Sequence, residues 1–400
     1  MSAEPAESAE SAAESAATTD RPAPAYLDER SGRRYPLTDP HRWRGDDGAP
    51  LTVTPLPGPA PVDVDTARRS LWRYRAAFPL PLAPVTLGEG CTPLLDGEWD
   101  GVPVSYKAEW ANPTGSFKDR GASLLVSYLA HHGITEIIED SSGNGGSSIA
   151  AYCAAAGIRA RILVPEHTSP AKILQTRAYG ADIERIPGDR EATAAEALRR
   201  AAAGAVYAGH NWHPFFLQGT KTLAYEIWED LGFRAPDNVV TVAGAGSTVL
   251  GCAIGFGELL AAGRIERLPR LLVAQPANCA PLYAAFRAGA ETEVPVETAP
   301  TIAEGTAIRH PVRLPEVLRA IRASGGDLLA VPEQGIEEAV RGLARKGLYA
   351  EPTSATAAAA VTGFARRGVI EPGQTTVVVL TGSALKTAPV MERVIGGAPR

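Results

Sequence analysis

Asn112-Pro-Thr-Gly-Ser-Phe-Lys118-Asp-Arg-Gly121 is the stretch on which the reading of the fold turns. Turn residues lead it, a lysine stands at the mouth of a helix, and the apolar run Ala122-Ser-Leu-Leu-Val-Ser-Tyr-Leu-Ala130 follows. Asn112, Pro113 and Gly115 predict a tight loop, with Ser116 placed to cap the helix. Lys118 then falls in the first turn, where the helix macrodipole disfavours a cation and lowers the ammonium pKa. Such a lysine suits attack on a carbonyl. Lysine is scarce here: Lys107, Lys118, Lys172, Lys221, Lys346 and Lys386 are the six among 39 basic residues. A guanidinium cannot form an imine, so a catalytic lysine would resist the drift to Arg. The same features also fit a surface lysine at a helix start.

Outward from this stretch the pattern alternates. A helix over 119–132 precedes a strand at 134–138, and a helix over 147–156 precedes a strand at 159–164. A helix over 169–179 leads to a strand at 183–186, and an Ala-rich helix over 190–203 leads to a strand at 205–207. The second half repeats this grammar with strands at 239–243, 270–274 and 375–380 and a helix over 249–262. Strands alternating with helices imply parallel sheets covered on both faces, with ligands gathered at the carboxyl ends of the strands. The fold class expected is α/β, with two doubly wound parallel-sheet domains. Residues 69–116 and 211–400 would form the larger one, and 117–210 the smaller. Residues 1–24 read as a disordered tail, and 25–68, rich in Pro, Arg and Asp, as an irregular arm.

Composition narrows the functional classes. A net charge of −6 argues against a nucleic-acid or membrane-surface partner. The four cysteines are too widely spaced for a zinc site or a disulfide framework, which suggests a reducing, cytoplasmic setting. No apolar run reaches membrane-spanning length, and the N-terminus shows no signal pattern.

Four further segments carry chemistry. Ser141-Ser-Gly-Asn-Gly-Gly146 and Ala243-Gly-Ala-Gly-Ser-Thr248 each follow a predicted strand and open a helix, where backbone N–H groups attract anions. Either can also be a plain glycine turn, and the second has a dinucleotide fingerprint as its rival, although no ribose-binding acid follows it. Tyr349-Ala-Glu-Pro-Thr-Ser-Ala355 places Glu351 before an Ala-rich helix, where an acid can serve as a cap. Leu380-Thr-Gly-Ser-Ala-Leu-Lys386 closes the last buried strand.

Together with Val85-Thr-Leu-Gly-Glu-Gly-Cys-Thr-Pro-Leu94, these segments resemble the ordered motifs of threonine synthases and their relatives over roughly residues 70–390. Those proteins are pyridoxal-phosphate enzymes of the tryptophan-synthase-β fold, also called fold type II. The resemblance implies that Lys118 is catalytic and carries the cofactor, and that the cofactor lies between the two domains. It implies that Asn144 bonds the cofactor's phenolic oxygen, that Ala243, Gly244, Ala245, Gly246, Ser247 and Thr248 hold its phosphate, and that Thr381 faces the pyridine nitrogen, with Ser383 next in line. Glu351 would lie beside the ring. Ser142, Gly143 and Gly145 would receive the substrate carboxylate. Lys221, in Gln218-Gly-Thr-Lys-Thr222, reads equally as a second active-site cation or as a surface lysine.

A hydroxyl at the ring nitrogen leaves the ring a weaker electron sink, which suits elimination and replacement better than transamination. The implied reaction converts O-phospho-L-homoserine and water to L-threonine and phosphate. An amino-acid dehydratase or β-replacement enzyme is the alternative, and a non-catalytic pyridoxal-phosphate-binding protein a further one. Many threonine synthases carry a zinc-holding cysteine ribbon in the arm; Asp28–Gly32 and Arg44–Gly48 stand in its place, so no metal is expected. The partner expected is a second copy in a homodimer, besides a small amino-acid substrate. The sequence departs from the family where substrate phosphate is gripped. Phe216 replaces an Arg and Gly145 a frequent Thr, which leaves Arg309, Lys221 and His213 as substitute cations.

Overall fold

The computed structural model describes residues 22–396, so the tail reading for residues 1–21 lies outside it. The arm is more ordered than its composition suggests. Strands β1 (Ala25–Leu27), β2 (Arg34–Pro36) and β3 (Thr52–Val53) form an antiparallel sheet in the order β2-β1-β3. Tyr26, Leu37, Leu51 and Val53 are buried in the same core as the first long helix, and Tyr26 meets Tyr128 and Phe215 edge-on. A few apolar residues at strand spacing were enough to seat it. The two segments in place of a ribbon are tight turns: Gly32 N–H bonds the Asp28 carbonyl at 2.8 Å and Gly45 N–H the Ala49 carbonyl at 2.8 Å.

The hairpin β4 (Leu94–Trp99) and β5 (Val102–Ala108) comes next, and α1 (Lys118–His131) follows the loop. Then β6 (Glu136–Glu139), α2 (Asn144–Ala156), β7 (Arg159–Pro165), α3 (Pro170–Ala178), β8 (Asp182–Ile186) and α4 (Arg190–Ala202) alternate. Here β6, β7 and β8 form a parallel three-stranded sheet in sequence order. The strand expected at 205–207 is reduced to a single bridge between Tyr207 and Ile138.

Helices α5 (Pro214–Thr220) and α6 (Thr222–Asp230) lead to β9 (Asn238–Val242), α7 (Ser247–Ala261) and β10 (Arg270–Pro276). Next come α8 (Pro281–Arg287), α9 (Leu314–Ala323), β11 (Asp327–Val331), α10 (Glu333–Arg345), α11 (Pro352–Arg366), β12 (Thr376–Leu380) and α12 (Ala388–Gly396). The second sheet has the order β11-β10-β9-β12-β5-β4 and is parallel except for the β4–β5 hairpin. All five residues of β9 and of β12 are buried, as expected of central strands covered on both faces. One core packs α6, α7 and α9 on one face of this sheet, and another packs α10 and α11 on the opposite face.

The stretch 112–121 is fastened residue by residue. Phe117 N–H bonds the Thr381 carbonyl at 3.0 Å, and Ser383 N–H bonds the Gly115 carbonyl at 3.0 Å. The loop therefore runs antiparallel to the chain leaving β12. On the other side of that chain, Glu351 N–H bonds the Gly382 carbonyl at 3.0 Å. Asp119 accepts from Thr114 N–H (2.7 Å), Thr114 Oγ1 (2.6 Å) and Ser148 Oγ (2.5 Å), which ties α1 to α2. Arg120, fully buried, pairs with Glu109 (2.7 Å) and Glu226 (2.9 Å). Gly121 lets Phe216 of α5 lie against the helix, since a Cβ there would meet the ring at 2.5 Å. Ser116 is not the expected cap. Helix α1 starts from Phe117 in αR conformation, and the buried Ser116 Oγ has no hydrogen-bond partner among the described residues.

Candidate active site

A cavity of about 690 Å³ lies between the two parallel sheets, lined by residues that follow β6, β7, β8, β9 and β12. Ligand sites in α/β sheets collect at these carboxyl ends, because loops there converge without breaking the ladders. Among the lining residues are Lys118, Ser142, Gly143, Asn144, Gly145, Gly244, Ala245, Gly246, Ser247, Thr248, Glu351 and Thr381. Five segments far apart in sequence thus reach one volume.

Lys118 Nζ donates to Ser247 Oγ at 3.1 Å, linking the two helix starts across the cavity. Burial lowers its pKa to about 8, while the carboxyl groups of Glu139 and Glu351 pull the other way. The direction agrees with the sequence reading, but the main cause is desolvation rather than the helix dipole. Glu351 is buried at the start of α11 and makes no capping bond with its side chain. It accepts instead from Asn144 Nδ2 at 3.0 Å and Thr381 Oγ1 at 2.9 Å. Burial raises its pKa, against the hydrogen bonds from Asn144 and Thr381. Thr381 also lies 3.0 Å from Ser354 Oγ. Lys386 lines the cavity but is engaged with the Thr114 carbonyl (3.1 Å) and Ser147 Oγ (3.0 Å).

Several sequence assignments lie elsewhere. Lys221 is fully buried, its Nζ held by the Ala77 carbonyl at 2.9 Å and by Glu258 at 2.9 Å, so it is a structural ion pair and not a substrate contact. Ala243 contributes a buried carbonyl that accepts from Gln275 at 3.0 Å and does not line the cavity. Neither His213 nor Arg309 reaches the cavity. Burial pushes the His213 pKa down to about 3, and its Nδ1 accepts from Phe215 N–H at the start of α5. Phe216 is wholly buried, with Lys118 Nζ 5.4 Å from its ring centre.

Two residues were missed by sequence reading. His210 lines the cavity, and its Nδ1 lies 2.5 Å from Glu139 Oε1. Arg190, at the start of α4, also lines it and donates to Asp140 Oδ2 at 2.6 Å. Arg190 follows β8 and His210 the single bridge at Tyr207, where a lone Arg and a Gly-His-Asn run carry no motif. Position after a strand was the available signal. Gly145 belongs to the same cluster, since a Cβ there would lie 2.8 Å from His210 Nδ1.

Residues 85–382 match the model of the family described as pyridoxal-phosphate dependent enzyme. The chain belongs to that family. It is 34% identical over 325 residues to threonine synthase of Methanocaldococcus jannaschii, covering 79% of this chain and 80% of that one. Threonine synthase of Mycobacterium bovis is 33% identical over 323 residues, covering 78% and 87%. Among solved structures, maize serine racemase matches with a TM-score of 0.65 at 20% identity over 76% of this chain and 92% of that one. The processed form of threonine deaminase isoform 2 from Solanum lycopersicum matches with a TM-score of 0.63 at 22% identity, covering 77% and 88%. The fold is thus fold type II, and pyridoxal phosphate is the cofactor.

The residues present fit that cofactor. An amine lowered to about 8 stands within the cavity, and the start of α7 offers backbone N–H groups and the Ser247 and Thr248 hydroxyls, as a phosphate dianion needs. Asn144 and Thr381 add neutral hydrogen-bonding groups, both bonded to Glu351.

Proposed function

We propose that this chain is a lyase of threonine synthase type, converting O-phospho-L-homoserine and water to L-threonine and phosphate. The observation that carries the reading is the convergence of Lys118, Asn144, Ser247, Glu351 and Thr381 on one cavity. The identity with curated threonine synthases supports it. In this reading Lys118 bears the cofactor, residues 244–248 hold its phosphate, and Asn144, Glu351 and Thr381 surround its ring. Ser142, Gly143 and Gly145 at the start of α2 bind the substrate carboxylate. When bound, the cofactor supplies an electron sink for the charge left at Cα.

The Lys118 amine would move protons at Cα and Cβ of the substrate. Its lowered pKa suits it to both directions near neutral pH. Thr381, a hydroxyl backed by Glu351, does not hold the ring nitrogen protonated, which favours elimination over transamination. Residues 117–210 act as the smaller domain against 69–116 and 211–400, and the enzyme works as a cytoplasmic homodimer. Among the described residues no helix is long and apolar enough to cross a membrane.

One observation favours a second reading. Neither the buried Phe216 nor Gly145 offers a side-chain donor to a substrate phosphate, which suits a dehydratase acting on serine or threonine. The deciding measurement compares kcat/KM for O-phospho-L-homoserine with those for serine, threonine and O-phosphoserine. Threonine release confined to phosphohomoserine supports the first reading, and turnover confined to the others refutes it. Borohydride reduction and peptide mapping should place the pyridoxyl group on Lys118. A label on Lys221 or Lys386 would refute that assignment.

A further inference from the structure

We propose that Arg190 and His210 form the subsite for the phosphate leaving group, held in place from behind by the adjacent carboxyl groups of Asp140 and Glu139. The assignment rests on the reading of this chain as an enzyme that expels phosphate. It starts from the donors left in the cavity once those proposed for the cofactor are set aside. Lys386 is engaged by Thr114 and Ser147, and Lys172 bridges to Glu304 at 2.5 Å. Arg190 and His210 are, of the donors that remain, the two anchored at one end by a buried carboxyl.

Glu139 and Asp140 are consecutive residues at the carboxyl end of β6, and both are buried. Asp140 accepts from Arg190 Nη1 at 2.6 Å and from the Tyr207 hydroxyl at 2.6 Å. Arg190 Nε and Nη2 have no protein partner among the described residues, and the side chain is 30% exposed where it lines the cavity. A guanidinium edge with two parallel N–H groups matches two oxygens of a phosphate. Burial works against its charge, but Asp140 outweighs that, so the cation persists.

Glu139 holds His210 through Nδ1 and leaves Nε2 as the nitrogen open to the cavity. Burial, with the charge of Asp140, raises the Glu139 carboxyl pKa. Burial, with the charges of Lys118 and Arg190, keeps the imidazole neutral. With the ring neutral, the tautomer that takes a proton from Glu139 at Nδ1 carries its own on Nε2, as a donor toward the cavity. Gly145 completes the unit, because any side chain there would take the space of the ring. Arg190 and His210 thus offer the cavity side-chain donors that Phe216 and Gly145 do not.

The test uses holoenzyme and inorganic phosphate, whose binding is read from the visible cofactor band and as competition against whichever amino acid is turned over. Wild-type enzyme should bind phosphate. Arg190→Gln should weaken that binding by about tenfold to a hundredfold, the loss of a charge-assisted contact. It should raise KM for O-phospho-L-homoserine more than it lowers kcat, and Arg190→Lys should recover part of the loss. His210→Gln, with the cofactor band checked for an intact site, should weaken phosphate binding by a smaller factor. Wild-type enzyme that ignores phosphate, or an Arg190→Gln variant that binds it unchanged, overturns the assignment. If phosphate binds through Arg190 while only unphosphorylated amino acids are turned over, Arg190 is an anion site, and the leaving-group assignment falls with the threonine synthase reading.

Discussion

Replacing Gly145 by alanine should destabilise the protein through a residue that the alanine does not replace. The backbone at Gly145 is helical, so the change alone should stabilise α2 by about 0.5–1 kcal/mol. The added Cβ, however, would lie 2.8 Å from His210 Nδ1, 2.9 Å from Cε1 and 3.0 Å from Ser141 Oγ. The ring has to retreat by roughly half an ångström or more to reach ordinary contact. That retreat breaks the 2.5 Å bond to Glu139, which is fully buried and whose other oxygen has no partner among the described residues. Stranding a buried polar group costs about 1–3 kcal/mol, and overpacking costs a similar amount. The net expectation is a loss on the order of 3 kcal/mol. In a His210→Ala background the space is already open, so adding Gly145→Ala should cost nothing or stabilise slightly. Urea unfolding of the four proteins in this double-mutant cycle measures the coupling, expected at about 2–3 kcal/mol. A coupling within about 0.5 kcal/mol of zero would refute the claim that Gly145 exists to admit His210.

Three further outcomes are expected. In enzyme stripped of cofactor, labelling of Lys118 by an amine reagent should rise with pH around a midpoint near 8, because burial favours the neutral amine and the proton is lost early; a midpoint at an ordinary lysine value would contradict the desolvated site. Arg120→Met should cost about 3–5 kcal/mol in urea unfolding, since it leaves the buried carboxylates of Glu109 and Glu226 without their shared cation; a loss under about 1 kcal/mol would show that the two acids find other partners. Thr381→Asp should increase transamination relative to the main reaction, because a carboxylate holds the ring nitrogen protonated; an unchanged product ratio would remove Thr381 as the ring's partner.

The central helices and strands were legible because periodicity and turn chemistry are local. The alternation from 117 onward, the buried run expected at 375–380 and the helices expected at 147–156 and 249–262, which the structure starts at 144 and 247, all follow from patterns a few residues long. The motif around Lys118 was legible for the same reason. Its Asp119, Arg120 and Gly121 were not, since their partners Ser148, Glu226 and Phe216 are remote in sequence. The arm was misjudged because three short strands gain stability only by docking against α1 and α5.

Charged side chains separate the two kinds of knowledge most clearly. Sequence alone determined the fold class and picked out Lys118 and the loops that share its cavity, because those depend on residue order along one strand-loop-helix unit. It could not place Lys221, His213, Arg190 or His210. Lys221 and Lys118 are both lysines beside a glycine-bearing helix, yet one pairs with Glu258 in a dry core and the other enters the cavity. A charge is costly to bury, so its role is set by whichever partner or solvent-filled space the folded chain brings to it. Only the tertiary structure decides that, because the partner lies tens to hundreds of residues away.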